Sequence, residues 1–229
     1  MKVLIFGATG MVGQGVLREC LRDPGVTEVV ALVRRPSLPA HPKLREVVHG
    51  DFFDYRAVEA DLAGLDACFF CLGVSSAGLS EAEYRRLTFG LTLAAAGTLA
   101  HLNPSLTFVY VSGAGTDSTE RGRTMWARVK GETENALRHL PFKAVYLFRP
   151  GLIQPLHGIR SRTGWYQAAY TLMKPALPLL RRLFPNSILT TEALGRAMLR
   201  AARDGASKAV LEAADLIALG ASPGPAGAP

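Results

Sequence analysis

Residues 6–15 read FGATGMVGQG, and the placement of this stretch decides the fold. It follows an apolar run, KVLIF (2–6), and opens an amphipathic one (11–22) that Asp23, Pro24 and Gly25 stop. Gly7, Gly10 and Gly13 give the spacing G-x-x-G-x-x-G. Between a strand and a helix, with the next strand about twenty residues on, each glycine has its own task. Gly7 permits the tight turn, Gly10 lets the backbone approach a pyrophosphate, and Gly13 lets helix and strand pack closely. Gly7, Thr9, Gly10, Met11, Val12 and Gly13 are therefore expected to form a dinucleotide-binding turn. The amides from Met11 onward would face the phosphates at the favourable end of the helix dipole.

Outward from the turn, short apolar runs alternate with amphipathic segments. The runs at 2–6, 28–33, 46–49, 66–72, 106–111 and 143–148 read as strands. The segments 11–22, 54–63, 80–101 and 120–139 read as helices. Near-continuous apolar strands separated by helices predict an α/β fold, a Rossmann-type doubly wound parallel sheet covered on both faces. After Pro150 the pattern loosens; another helix is expected at 190–203 and a short strand near 208–212. One domain over 1–220 is expected, with 151–220 as a small substrate-side appendage. The Pro/Gly/Ala-rich tail 221–229 reads as unstructured.

Composition narrows the possible functions. The 229 residues are 48% hydrophobic and 20% charged, which is globular rather than disordered. No 18-residue apolar span exists, and MKVLIFGATG is too short an apolar run for a signal-peptide core. Cys20, Cys68 and Cys71 suggest no disulfide framework. Cys68 and Cys71 spell C-x-x-C, but inside a strand positions i and i+3 face opposite ways, so neither a redox pair nor a metal site is expected. A reducing cytoplasm is the expected setting. The net charge of +7 favours an anionic partner. Its arginines are scattered in pairs with no nucleic-acid motif, so the expected ligand is a small anionic molecule and not nucleic acid.

The charge pattern also selects among dinucleotides. An NAD-preferring fold places an acid at the end of the second strand to hold the ribose 2′-hydroxyl. Here the chain reads ALVRRPS, with Arg34 and Arg35 in that place and no acid until Glu46. A guanidinium binds a 2′-phosphate that a carboxylate would repel, so NADP(H) is expected over NAD(H).

GATGMVG (7–13), GDFFD (50–54), CLG (71–73), YVSGAG (110–115), VKGE (129–132) and LFRPG (147–151), in this order, resemble the short-chain dehydrogenase/reductase superfamily in its atypical branch. The nearest likeness is to Tat-interacting-protein-like oxidoreductases and bacterial nucleoside-diphosphate-sugar-epimerase-like proteins. It covers most of residues 1–151 and, more loosely, the downstream GLIQ and LTTEALGRAML. The resemblance implies that Asp51 and Phe52 lie by the adenine, Leu72 and Gly73 beside the ribose, and Pro150 and Gly151 near the nicotinamide. In many relatives the helices corresponding to 80–101 and 120–139 form a dimer face, which leaves a homodimer open.

The same resemblance implies a Tyr-x-x-x-Lys pair with a serine or threonine. Lys130 matches the lysine, which would lower the tyrosine's pKa and hydrogen-bond the nicotinamide ribose. The tyrosine position holds Trp126, whose indole donates only and cannot serve as acid or base. Ser112 is the candidate hydroxyl, followed by Gly113 and Ala114, and Thr88 stands where a supporting asparagine is often found. Three functions fit: an NADP(H)-dependent oxidoreductase whose proton comes from water, Ser112, His157, Tyr166 or Tyr170; an NADPH-binding sensor or scaffold without turnover; or membrane-surface contact through 165–184. Pro175 and Pro178 interrupt any long amphipathic helix in that last segment, so membrane contact is the least expected.

Overall fold

The computed structural model describes residues 1–159 and 188–221. β1 (Lys2–Phe6) leads through the glycine turn into α1 (Met11–Arg22), followed by β2 (Glu28–Val33) and β3 (Leu44–Val48). A 3-10 segment (Arg56–Leu62) precedes β4 (Ala67–Phe70). Next, α2 (Glu81–Arg85) continues through a π turn (Arg86–Gly90) into α3 (Leu91–Leu102). β5 (Thr107–Val111), α4 (Met125–Leu137) and β6 (Ala144–Arg149) complete the larger part. β7 (Leu152–Gln154), β8 (Ile188–Thr190), α5 (Thr191–Asp204), β9 (Val210–Glu212) and α6 (Ala213–Ala221) follow.

Seven strands form one parallel sheet in the order β3-β2-β1-β4-β5-β6-β9. β7 and β8 make a separate two-stranded parallel sheet. The order reverses between β1 and β4, and the crevice beyond the carboxyl ends of these strands is where such sheets bind ligands. The fold is thus a Rossmann-type α/β sheet, as the alternation of apolar runs predicts.

Strand alternation assigns the two faces. Leu4, Phe6, Phe70 and Phe108 pack against Leu62, Ala96 and Leu99 on one side. Val3, Ile5, Phe69 and Phe148 pack against Val16, Cys20, Leu194 and Met198 on the other. Full burial of each phenylalanine stabilises by roughly 2–3 kcal/mol. Cys68 belongs to the first cluster and Cys71 packs on the second, so the two thiols diverge as strand geometry requires. Burial pushes both upward, which keeps them protonated and inert. Among the described residues no group of His, Cys, Asp or Glu could hold a metal ion, and no helix is long and apolar enough to cross a membrane.

Several elements differ from the sequence expectation for local reasons. The segment expected as a helix over 54–63 is a 3-10 turn, opened by Asp54, whose Oδ1 accepts from the Arg56 amide at 3.0 Å. The helix expected over 120–139 begins only at Met125, because Asp117 draws the preceding chain around itself. Its carboxylate accepts from the Thr119 amide at 2.9 Å and the Gly122 amide at 2.7 Å. The helix expected over 80–101 carries the π turn within it. The β7–β8 pair and α6 were not foreseen. Segment 165–184, Tyr166, Tyr170 and the tail beyond 221 lie outside the described residues.

Helix α5 crosses α1 through glycine contacts. A Cβ at position 15 would sit 2.6 Å from Thr191 Cβ and 2.8 Å from the Thr191 carbonyl oxygen. One at position 195 would sit 2.8 Å from Glu19 Cγ. Gly15→Ala gains about 1 kcal/mol in helix propensity but costs about 2–3 kcal/mol in overpacking, because backbone stands in the way. Thermal unfolding should therefore show Tm lowered by roughly 2–8 °C, the conversion expected for a chain of this size. An unchanged or raised Tm would mean that α1 and α5 can part without loss.

Candidate functional site

The glycine turn is built by backbone-on-backbone contact. Gly7 has φ +76°, and a Cβ there would meet the Cys71 carbonyl and the Leu72 amide nitrogen at 2.9 Å. A Cβ at position 13 would lie 2.0 Å from the Gly7 carbonyl oxygen, so the first turn of α1 sits directly on the end of β1. The Gly10 amide closes the turn by donating to the Gly7 carbonyl at 2.9 Å. Gly10 caps α1 without a side-chain hydrogen bond, and the first helical turn holds no acid. The opening amides, Met11 and Val12 among them, are thus left for an anion, aided by the helix dipole. Gln14 Nε2 holds the Thr9 carbonyl at 3.0 Å and fixes the loop.

Two adjoining cavities extend from this turn. The first, about 380 Å³, is lined by Gly7, Thr9, Arg34, Arg35, Phe52 and Leu72, among others. The second, about 290 Å³, shares Arg34, Phe52 and Leu72 and adds Asp51, Gly73 and Leu91. Residues from the ends of β1, β2, β3 and β4 therefore converge on one cleft. Arg34 and Arg35 are exposed, and among the described residues neither guanidinium has a hydrogen-bond or ion-pair partner. Glu46, the next acid along the chain, is occupied by the Ser37 and Leu38 amides at 3.1 and 3.2 Å. Asp51 Oδ1 accepts from the Phe53 amide at 2.9 Å, which shapes the loop after β3. A larger cavity of about 580 Å³ runs along the flank of α1 beside Leu17, Leu21 and Leu38; it shares only Thr9 with the glycine turn.

Across the switch point, the ends of β5 and β6 carry the remaining expected residues. The Ser112 amide bonds to the Phe148 carbonyl at 2.9 Å and the Ala114 amide to the Pro150 carbonyl at 2.9 Å, so the two strand ends stay joined past the sheet. Gly151 is exposed and Pro150 buried. Lys130, on α4, donates from Nζ to the Ser112 carbonyl. Burial pulls its pKa down to about 8, against the opposing pull of the Glu134 charge. Trp126 lies one turn earlier on the same face of α4 and packs against the 113–115 loop, where a Cβ at Gly115 would be 3.6 Å from its ring.

Ser112 has a different partner from the one expected of a catalytic hydroxyl. Its Oγ donates to Glu134 Oε1 at 2.6 Å. Glu134 is 1% exposed and also accepts a bidentate pair from Arg149, whose side chain is 12% exposed. Arg149 reaches on to Glu212 at 3.3 Å and to Ser118 Oγ at 2.5 Å. Sequence reading assigned no role to Glu134 or Arg149. The signals were present: a glutamate four residues after Lys130 on one helix, and an arginine closing an apolar strand. Thr88, inside the π turn, is buried beside Tyr84. His157 is bound to Glu192 at 2.8 Å, near β8.

Residues 7–150 match the NAD(P)H-binding family, and the chain belongs to it. Its architecture is the Rossmann type, a parallel sheet whose strand order reverses between β1 and β4. Curated relatives include the mitochondrial protein fmp52 of Emericella nidulans, 29% identical over 158 residues, which are 66% of this chain and 66% of that protein. FMP52 of Saccharomyces cerevisiae, also named mitochondrial, is 31% identical over 166 residues, 71% of this chain and 69% of that one. The chain thus spans about two thirds of the length of these relatives. Among solved structures, MoeE5 in complex with UDP-glucuronic acid and NAD has TM-score 0.67 at 20% identity, covering 93% of this chain and 76% of that one. WbmF of Bordetella bronchiseptica with NAD+ has TM-score 0.64 at 17% identity, over 95% and 76%. These two likenesses concern the fold.

The relatives correct one expectation. A cytoplasmic setting was read from the three thiols, but the curated relatives are named mitochondrial. The cysteines are free, as that reading assumed. Free thiols report a reducing medium and carry no address, so the step from thiol to cytoplasm fails.

Glu134→Ala would leave the buried Arg149 guanidinium without its main partner, at a cost of about 3–5 kcal/mol. Urea unfolding should show this as a lower midpoint with unchanged slope. Lys130 carries a pH signature. Its folded pKa lies below the unfolded value of 10.5, so between about pH 8 and 10.5 the unfolded chain binds more protons and stability gains with pH. The stability advantage of Lys130→Met over wild type should therefore shrink across that window. A gap independent of pH would show that the amine is not desolvated.

Proposed function

We propose that the chain is an NADP(H)-dependent oxidoreductase acting on a small carbonyl or hydroxyl substrate. The observation that carries this reading is the cleft running from the glycine turn to Arg34 and Arg35, two guanidiniums without partners among the described residues, where an NAD-preferring site needs an acid. The residues suit the cofactor in charge, and the turn that presents the α1 amides depends on Gly7 and Gly13, where a Cβ would clash with backbone. The α1 amides would hold the pyrophosphate, Asp51 and Phe52 the adenine, and Leu72 and Gly73 the ribose. Arg34 and Arg35 would hold the 2′-phosphate, while Lys130, Pro150 and Gly151 would border the nicotinamide ribose and ring. When bound, the cofactor supplies or accepts hydride; the protein's task is alignment and proton supply.

A second reading, NADPH binding without turnover, is favoured by Trp126 in the tyrosine position and by the Ser112 hydroxyl's bond to Glu134. A screen of small carbonyl compounds with NADPH separates the two, since turnover supports the first and binding alone the second. The cofactor assignment has its own test. Arg34→Ala with Arg35→Ala removes charge-assisted bonds worth about 1.5–3 kcal/mol, so NADPH affinity should fall roughly 10- to 150-fold while NADH affinity stays level. Equal losses for both cofactors, measured by calorimetry, would remove the 2′-phosphate from this end of the cleft.

A further inference from the structure

We infer that Lys130 is itself the proton donor to the substrate oxygen, taking over the role that Trp126 cannot fill. This rests on the oxidoreductase reading above. Trp126 offers an indole N–H that does not titrate usefully. The Ser112 hydroxyl has one proton and gives it to Glu134 at 2.6 Å. Tyr84 and Tyr110 are buried, and burial raises both phenols, which keeps them protonated and out of acid–base exchange. His157, just after β7, is engaged with Glu192 at 2.8 Å.

Lys130 differs from all of these. Its ammonium has three N–H donors and, among the described residues, one acceptor, the Ser112 carbonyl at the end of β5. Among the described residues it makes no salt bridge, although Glu134 is one turn away on the same helix. That carboxylate is taken up by Arg149 from β6 and by Ser112. An ammonium held in a partly buried place with N–H groups to spare is poised to give up a proton. Its pKa near 8 lies close to a working pH, where general acids are most effective. The one charge that acts on it among the described residues is Glu134 on α4, which is paired with Arg149 from β6. Burial raises the phenols of Tyr110 on β5 and Tyr84 on α2 above the ordinary tyrosine value.

The step balances. Hydride from the cofactor gives two electrons and one hydrogen to the carbonyl carbon. One Nζ–H bond breaks as the carbonyl oxygen forms its O–H bond, which leaves an alcohol, an oxidised cofactor and a neutral amine. Solvent then returns the proton to the amine. In the oxidative direction the neutral amine takes the alcohol's proton.

The full-length protein supplies the test in two measurements. Competitive acetylation followed by mass spectrometry across pH 6–11 reads the ionisation of Lys130 without turnover. Lys130 should titrate near pH 8, apart from the other lysines, and NADPH should slow its labelling. The second measurement is kcat/KM for carbonyl reduction against pH, in wild type and in Lys130→Arg, which keeps the cation but cannot release a proton near neutrality. Wild-type activity should fall as pH rises through the ionisation of Lys130. Lys130→Arg should lose at least about 100-fold in kcat, the usual scale of general-acid catalysis, with NADPH affinity held within about threefold. If Lys130→Arg keeps the wild-type rate and pH profile, the proton comes from elsewhere and the inference falls alone. If wild type binds NADPH but reduces no carbonyl, the oxidoreductase reading falls and the donor role with it. Acetylation of Lys130 with an ordinary lysine profile also overturns it.

Discussion

The seating of α1 on the end of β1 is the constraint from which the rest follows. No side chain fits between the Gly13 Cα and the Gly7 carbonyl, so helix and strand meet as bare backbone. That closeness points the open end of α1 into the crevice where the strand order reverses, and it presents amides to that crevice with no side chain in front of them. The cavities of the cleft begin at this contact and run along the ends of β2, β3 and β4. A larger residue at either glycine would part helix from strand and lose the anion-binding geometry along with the packing.

The carboxyl end of the sheet has two sides with different chemistry. On the β1–β2 side the groups are open: unpartnered amides and two exposed guanidiniums that suit a polyanion. On the β5–β6 side they are closed. Glu134, Arg149 and Ser112 satisfy one another behind the strand ends, and this polar knot holds α4, β5, β6 and β9 together. Lys130 is tied to the carbonyl at the end of β5 and, among the described residues, has no ionic partner. A buried ion pair of this kind adds little net stability over an apolar equivalent, but losing one partner is costly, so its worth lies in fixing position.

How much was legible in the sequence depends on how local each signal is. The strand–turn–helix of residues 2–22 announces itself because glycine spacing, apolar run and helix stop all fall within one short window. The strands of the sheet are legible for the same reason, being continuous apolar runs with polar breaks. The π turn at Arg86–Gly90 is not, since nothing in RLTFG departs from ordinary helix chemistry. The capping box of Ser80 and Glu83, with the Ser80 amide 2.9 Å from the Glu83 carboxylate, was readable and marks the start of α2. Glu134 and Arg149 are 15 residues apart along the chain, and only the fold brings them together. Ser112 shows the limit clearly: its place at the end of β5 follows from sequence, while the direction of its hydroxyl depends on a glutamate from the next helix. The small β7–β8 sheet escaped because three-residue strands carry no period.

The crossing of α1 and α5 bears on where the cofactor-binding unit ends. The family match stops at residue 150, yet the helix that offers its amides to the phosphates is braced from behind by residues 191–195. Thr191 fills the groove that Gly15 leaves open, and Glu19 lies over Gly195. The portion recognisable by kinship and the portion that can stand as a physical unit are therefore not the same. A chain cut at the family boundary would keep all but Gly151 of the residues expected to touch the dinucleotide and lose the buttress that aims them.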